Sequence, residues 1–282
     1  SKPEIRLFSN SSLAEENFSS QYPFIIFPLK KDRIPLICRY MKVKKADDYQ
    51  SWFIEEGNEA LLIDPWFDFA LVDGKGWFLQ RKKEKKSHLT EDEISQVKNI
   101  IITAPFEDHL HLNTLKEFSK ANIWCSSQVK SILLKRNFRN KIFEFSSSNL
   151  IGNLEVRAYP AGFPYNTTAH CLHILNEDGF AVFHEGHVIN KKIIKNNNIK
   201  ADIAILTAEE VKFFGLLTLS MRLKSTMIAC NLLAAKKLFI TGSNPLKNTG
   251  FINHFLKLNK LDNDFIDDKI EIFYEAGSSF FS

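Results

Sequence analysis

Lys98-Asn-Ile-Ile-Ile-Thr-Ala-Pro-Phe-Glu-Asp-His-Leu-His-Leu-Asn-Thr-Leu-Lys-Glu-Phe118 is the stretch whose reading decides the fold. Ile100, Ile101 and Ile102 form a β-branched run between polar residues, which predicts a buried strand. Asn113 or Thr114 stands where a helix cap is needed, ahead of Leu115 and Phe118 on one helical face. Between strand and helix lies a loop holding Asp108, His109 and His111, all potential metal ligands. Loops carried on a rigid scaffold are where chemistry is usually placed.

The chain around this stretch has 282 residues, enough for a sizeable core in one large domain or two small ones. Hydrophobic residues are 44% and charged residues 25%, the balance of an ordinary globular protein. With 25 Phe and only 3 Met, the core is expected to rest on Phe, Ile and Leu. A net charge of +4 is too slight to predict nucleic-acid binding, which needs a concentrated basic face. The run Arg81-Lys82-Lys83-Glu84-Lys85-Lys86 reads as a solvated surface. Cys38, Cys125, Cys171 and Cys230 are scattered without a Cys-x-x-Cys pair, so reduced thiols and a cytoplasmic setting are expected. No apolar run is long enough to span a bilayer, and no membrane partner is expected.

In chain order, Phe24 to Phe27 and Ile34 to Cys38 are apolar runs punctuated by proline, which suits edge strands or a covering segment over residues 1–45. Ser51 to Glu56 and Ala60 to Pro65 read as a hairpin around Gly57-Asn58. Trp66 to Gly76 reads as loop and Trp77 to Lys86 as a short helix. Further strands are expected at Asn122–Cys125, Ile142–Phe145, Leu154–Tyr159, Cys171–Leu175, Phe180–Phe183, Ile203–Leu206, Leu238–Thr241 and Ile270–Tyr274. Helices are expected from Ser127, from Ser225 and over Phe251–Lys260, the last amphipathic. Many strands with helices in both halves suit two sheets with helices outside, in a single domain of residues 1–282. Phe213-Phe214-Gly215-Leu216-Leu217 and Phe280-Phe281 can pack internally or against a partner.

At this point the layout resembles the metallo-β-lactamase superfamily over about residues 50 to 245. Carrying the resemblance are Leu62-Ile63-Asp64-Pro65, Ile102-Thr103 leading to Asp108-His109, Ala158-Tyr159-Pro160-Ala161-Gly162, Phe183-His184-Glu185-Gly186-His187, and the strand Ala201 to Leu206. Gln50-Ser51-Trp52, Asp64-Pro65-Trp66, Asp108 through Leu115 and Glu185-Gly186-His187 also resemble a plant and cyanobacterial branch of metallo-hydrolase/oxidoreductase-like proteins. The ascorbate-phosphate lactonase-like branch has a pattern near Asp108-His109-Leu110-His111. The resemblance implies an α/β fold, a four-layer αββα sandwich of two mixed sheets.

The same resemblance exposes a degenerate metal motif. The family loop reads Thr-His-x-His-x-Asp-His; the first two His positions here are Ala104 and Phe106. A third His of the first metal falls at Phe163, so two bulky rings are expected to fill the vacated space. At the second metal Asp108 and His109 remain, the bridging Asp is His187, and the last His appears as Gly242 or Ser243. What the resemblance leaves is Asp108, His109 and His187, with Glu185 as a fourth ligand or a base. One divalent metal is expected, Zn or Fe, with an open position for water. Asp108, Glu185 and His111 are the candidate catalytic residues, His111 as proton carrier or as a donor orienting Asp108. Asp64 is expected to organise the loops. His170 and His184 are expected near the mouth, His173 to be structural, and His88 and His254 to lie on the surface.

The expected function is a mononuclear metal-dependent hydrolase of a small-molecule ester, lactone or phosphoester. The alternatives are a non-haem iron oxidoreductase with a two-His-one-carboxylate site, and a catalytically inactive binding or scaffold protein of this fold. The sequence gives neither the substrate nor the oligomeric state.

Overall fold

The computed structural model describes residues 40–73, 76–242, 247–261 and 265–282. The chain divides into two units, Ser1–Cys38 and Arg39–Ser282, and every described residue belongs to the second. The apolar runs before Cys38 therefore lie outside the described residues.

Five strands open the fold: Met41–Lys45 (β1), Trp52–Glu56 (β2), Glu59–Ile63 (β3), Ala70–Asp73 (β4) and Leu79–Lys82 (β5). Helix Glu91–Ser95 (α1), strand Val97–Ile102 (β6), helix Leu112–Glu117 (α2), strand Asn122–Cys125 (β7) and helix Ser127–Lys135 (α3) follow. Next come Ile142–Glu144 (β8), Asn149–Ile151 (β9), Leu154–Pro160 (β10), His170–Leu175 (β11) and Ala181–Glu185 (β12). Helix Lys191–Asn196 (α4) leads to Ile203–Thr207 (β13), Glu210–Phe213 (β14), Leu217–Ser220 (β15) and helix Leu223–Leu233 (α5). The chain ends with Lys237–Thr241 (β16), Lys247–Thr249 (β17), the 3₁₀ turn Phe251–Phe255, Leu256–Asn259 (β18), Glu271–Phe273 (β19) and Ser279–Phe281 (β20).

Two seven-stranded sheets carry the fold, ordered β20-β1-β2-β3-β6-β7-β8 and β19-β16-β13-β12-β11-β10-β9. Both are mixed: β3, β6, β7 and β8 run parallel, as do β12, β13, β16 and β19, while their other neighbours pair antiparallel. Successive strand residues face opposite sides, so a central parallel strand is apolar throughout. On β6, Ile101 joins the layer between the sheets, while Ile100 and Ile102 join the layer under α2 and α3 with Leu115, Val129 and Leu133. On β13, Ile203 and Ile205 face inward, while Ala204 and Leu206 face Ile194, Ala229 and Leu233 of α4 and α5. These three apolar layers are those of a four-layer αββα sandwich. Phe239 shows the phenylalanine core at work: fully buried, it stacks on Phe273 at 4.2 Å and meets the Trp52 edge at 5.6 Å. Burial of such a ring contributes about 1.5–3 kcal/mol.

Several local expectations are corrected. Met41–Lys45 is no covering segment; β1 is an integral strand between β2 and β20. Trp77 to Lys86 is not a helix but contains β5, paired with β4 and β17. Phe251 to Lys260 is a 3₁₀ turn followed by a strand paired with β14. Ser126, one residue earlier than expected, caps α3, and His111 caps α2.

The β4–β5 hairpin is held by a buried ion pair. Lys83 Nζ donates to Asp47 Oδ2 at 2.9 Å with both side chains out of solvent, and also to the Trp66 carbonyl. Asp47 Oδ1 accepts the backbone N–H groups of Tyr49 and Ser51 at 2.9 and 2.8 Å, so one carboxylate shapes the β1–β2 loop and anchors the hairpin. Removing one partner leaves the other charge buried alone. Asp47→Ala is expected to lower the unfolding free energy by about 3–5 kcal/mol in urea titration, with faster hydrogen exchange across β4 and β5.

A second ion cluster ties α1 to the sheet. Glu93 completes a capping box with Thr90 and accepts from Lys42 and Lys44 of β1 at 2.7 and 2.8 Å. Burial works to raise the Glu93 pKa, but the two ammonium groups outweigh it and hold it at about 2, below its ordinary 4.5. Its stabilising contribution is therefore complete above pH 4.5 and is lost as pH falls toward 2. Glu93→Gln is expected to make urea stability fall less steeply with acid over that window, by up to about 1.4 kcal/mol per pH unit.

Candidate functional site

The site begins at Asp64, which ends β3 in a left-handed backbone conformation (φ +47°) with its side chain out of solvent. Asp64 Oδ1 accepts the Thr103 N–H at 2.7 Å, and Oδ2 accepts the Thr103 hydroxyl at 2.5 Å. The same Oδ2 lies 2.7 Å from His109 Nδ1. With Nδ1 committed, His109 Nε2 is turned away from Asp64, and it has no partner among the described residues. Burial disfavours the imidazolium, but the Asp64 and Asp108 carboxylates outweigh that, and the His109 pKa is raised. Asp64 thus organises the loop, the role expected of it.

Asp108 is held elsewhere. Its Oδ2 accepts from Arg81 Nη1 at 2.5 Å and from the Tyr49 hydroxyl at 3.3 Å, and its carbonyl accepts from Gln50 Nε2 at 2.7 Å. The guanidinium also donates to the Tyr49 hydroxyl at 2.8 Å and lies over the Tyr49 ring. Burial pushes the Asp108 carboxyl upward, yet Arg81, with His109 and His187, holds it well below the usual range. Arg81 comes from β5, inside the basic run expected to be a solvated surface. Leu79, Arg81 and Lys83 alternate with the exposed Lys82, a period of two that was the available signal.

His187 follows β12. Its backbone N–H donates to Glu185 Oε1 at 2.8 Å, while Glu185 Oε2 and His187 Nε2 are buried without partners among the described residues. Its ring stacks on Tyr165 at 4.0 Å and 16°, and lies 4.6 Å from the His109 ring. Phe106 packs against His109, Tyr165 and His187 at 5.9–6.2 Å. Burial holds the His187 pKa well below its ordinary value and raises that of Glu185 to about 8.

Phe106 lies among these rings, whereas Phe163, the other ring expected to fill space here, is 74% exposed, and Tyr165 stacks on His187. Only the site's interior distinguishes the two rings, since both lie in one short loop. His111 is not brought into the site. It caps α2, with Nδ1 2.8 Å from the Thr114 hydroxyl, in a separate depression beside Asp68 and Glu107. It neither orients Asp108 nor lines the cavity. His184 is buried with both ring nitrogens unpartnered among the described residues, and burial lowers its pKa to about 4. His170 packs on Phe145, and His173 Nε2 meets the Lys200 carbonyl, a structural role as expected. His88 is not a simple surface residue; its Nε2 lies 2.6 Å from Asp48 Oδ1. His254 is exposed.

A cavity of about 210 Å³ opens over these groups. Tyr49, Arg81, Asp108, Tyr165 and His187 supply polar groups to its lining, and Leu79, Val211, Leu219, Leu256 and Leu258 supply apolar ones. Gly242, at the position of the family's last ligand, adds no side chain to it.

Solved structures share this architecture. An isothiocyanate hydrolase from Delia radicum gut bacteria superposes with TM-score 0.64 at 16% identity, over 85% of this chain and 98% of that one. A possible metal-dependent hydrolase from Veillonella parvula gives 0.62 at 13% identity, over 86% and 98%. A diiron β-hydroxylase from Streptomyces venezuelae gives 0.54 at 12% identity, over 72% of this chain and 45% of that one. None of the curated proteins matches the chain.

Metal ions are a property of this fold family, and the residues here were tested against one. Among the described residues no three His, Cys, Asp or Glu side chains converge where an ion could be held. Asp108, the carboxylate of the expected set, is paired through Oδ2 with a cation of the protein's own. As folded, Asp108 therefore stands apart from the unpartnered His109 Nε2, His187 Nε2 and Glu185 Oε2. No helix among the described residues is long and apolar enough to cross a membrane.

The family model described as beta-lactamase superfamily domain matches residues 47–239, most of the sandwich from the β1–β2 loop into β16. Together with two mixed sheets, outer helices and loops gathered at the ends of β3, β6 and β12, this places the chain: it belongs to the β-lactamase superfamily.

Proposed function

We propose that this chain binds a small, uncharged, amphipathic molecule in the cavity beneath Arg81, without a resident metal ion. The observation that carries the reading is the 2.5 Å pair between Arg81 Nη1 and Asp108 Oδ2. An arginine guanidinium stays charged at any accessible pH, so an ion at Asp108 would sit beside a fixed positive charge. In the cavity lining, the charges of Arg81 and Asp108 offset each other. Its polar groups offer donors and acceptors, and its leucines take an apolar end.

A second reading is a mononuclear metallo-hydrolase, or with iron an oxidoreductase. It is favoured by three buried atoms without partners among the described residues: His109 Nε2, His187 Nε2 and Glu185 Oε2.

Elemental analysis separates the two. Purified protein, before and after incubation with Zn(II) or Fe(II), is expected to hold less than about 0.1 metal ion per chain, with no change in melting temperature. Arg81→Met is expected to lower stability by about 3 kcal/mol by stranding the Asp108 carboxylate. Uncharged fragments are expected to shift the NMR signals of Tyr49 and Tyr165, and Leu219→Trp to abolish the shifts by filling the cavity. Stoichiometric metal in the native chain that disappears in His187→Ala would overturn the proposal and establish the second reading.

A further inference from the structure

Three loop tips bring an exposed aromatic face together beside the cavity. Trp77 and Phe78 come from the β4–β5 hairpin, Phe213 and Phe214 from β14 and its turn, and Phe251 and Phe255 from the 3₁₀ turn. Their rings form an unbroken chain: Phe78 to Trp77 at 5.9 Å, Trp77 to Phe251 at 6.2 Å, Phe251 to Phe255 at 5.1 Å and Phe255 to Phe214 at 4.8 Å. Trp77 is 63% exposed, Phe251 52%, Phe214 60% and the neighbouring Leu216 88%. A contiguous apolar surface of this kind on a folded domain marks an interaction site.

The tips are also fixed to one another. The Phe251 N–H donates to the Trp77 carbonyl at 2.8 Å, Ile252 to Phe78 at 3.1 Å, and Phe214 to Phe255 at 2.8 Å. Gly250, at φ +117°, lets the turn pass where a Cβ would lie 2.4 Å from the Phe78 carbonyl oxygen. The rings therefore form a set surface rather than three independent loops.

Lysines stand on the strands that carry these rings. Lys212 and Lys257 stand opposite each other across the β14–β18 pair, an arrangement that like charges disfavour. The one acidic residue on β14, β15 and β18 is Glu210, engaged by Lys212 and Asn259. Lys257, Lys260 and Lys82 are exposed. Exposed aromatic tips with exposed lysines on the strands that carry them match the pairing of apolar and cationic groups that an anionic bilayer surface takes, where Trp and Phe partition into the interfacial zone.

We propose that this face docks the protein on an anionic lipid surface, with Trp77, Phe214 and Phe251 in the interface and Lys257 and Lys260 against the headgroups. A peripheral contact needs no spanning segment, so the expectation of no membrane partner, drawn from the lack of one, does not bear on it. Asn253, Leu256 and Leu258 of the same segments line the cavity, which places its mouth beside the docked surface.

Vesicle sedimentation of the full chain tests this. Phosphatidylcholine vesicles containing phosphatidylglycerol are expected to bind at least about tenfold more tightly than phosphatidylcholine alone, and less tightly as salt is raised. Trp52 and Trp66 are fully buried and Trp124 half-buried, so a blue shift and protection from acrylamide on binding report Trp77. Trp77→Ser with Phe251→Ser, and separately Lys257→Glu with Lys260→Glu, are each expected to weaken binding about tenfold while circular dichroism and melting temperature stay unchanged. The proposal is overturned if neither vesicle binds, if the aromatic variant binds as well as the native chain, or if Trp77 is already protected without lipid in a self-associated species.

Discussion

Everything at the ends of the central strands hangs from one buried carboxylate. Asp64 turns the chain out of β3 in a conformation that L-residues seldom adopt, and it persists because three hydrogen bonds from Thr103 and His109 over-determine it. Those bonds lock the exit of β3 to the exit of β6. The Thr103 carbonyl then accepts the His170 N–H, which carries the constraint into the second sheet. Two further links join the sheets nearby: Trp52 Nε1 to the Thr241 hydroxyl, and the Gly242 N–H to the Tyr49 carbonyl. A site assembled from loops is thus stiff, because the loops are tied to each other as well as to their strands.

The fold was legible wherever burial writes a simple period. Ile100 to Ile102 and Ile203 to Leu206 read as strands because both of their faces are covered, and the Gly57-Asn58 turn announced its hairpin. The inserted elements were not legible. In Trp77 to Lys86 the inward positions are Leu79, Arg81 and Lys83, and two of those three are cations that normally face water. Only distant partners, Asp47 and Asp108, make them inward residues. The amphipathic look of Phe251 to Lys260 misled for a related reason: its apolar side faces a cavity and an exposed patch rather than a core.

At the site, sequence reasoning found the residues better than their relations. His109 and His187 do meet, ring to ring, although far apart in the chain. Asp108 and His109 are adjacent in sequence and serve opposite walls of an electrostatic arrangement, one tied to Arg81 and the other to Asp64. His111 shares their motif but belongs to a helix cap. Adjacency fixes proximity along the backbone and says little about side-chain direction, which depends on which carboxylate or cation waits across the gap. The same holds for Phe163 and Tyr165, where one ring faces solvent and the other stacks on His187.

The Arg81–Asp108 pair also bears on how such a site can change over generations. A buried ion pair is undone only by two substitutions, and each first step leaves a lone charge in a place built for two. That loss is large beside the roughly 5–15 kcal/mol separating a folded domain from its unfolded chain. A lineage that has acquired this guanidinium is therefore held on one side of a valley, with selection on folding alone opposing return. The hairpin that delivers Arg81 thus acts as a ratchet on descent, tying one residue of the cavity lining to the stability of the fold.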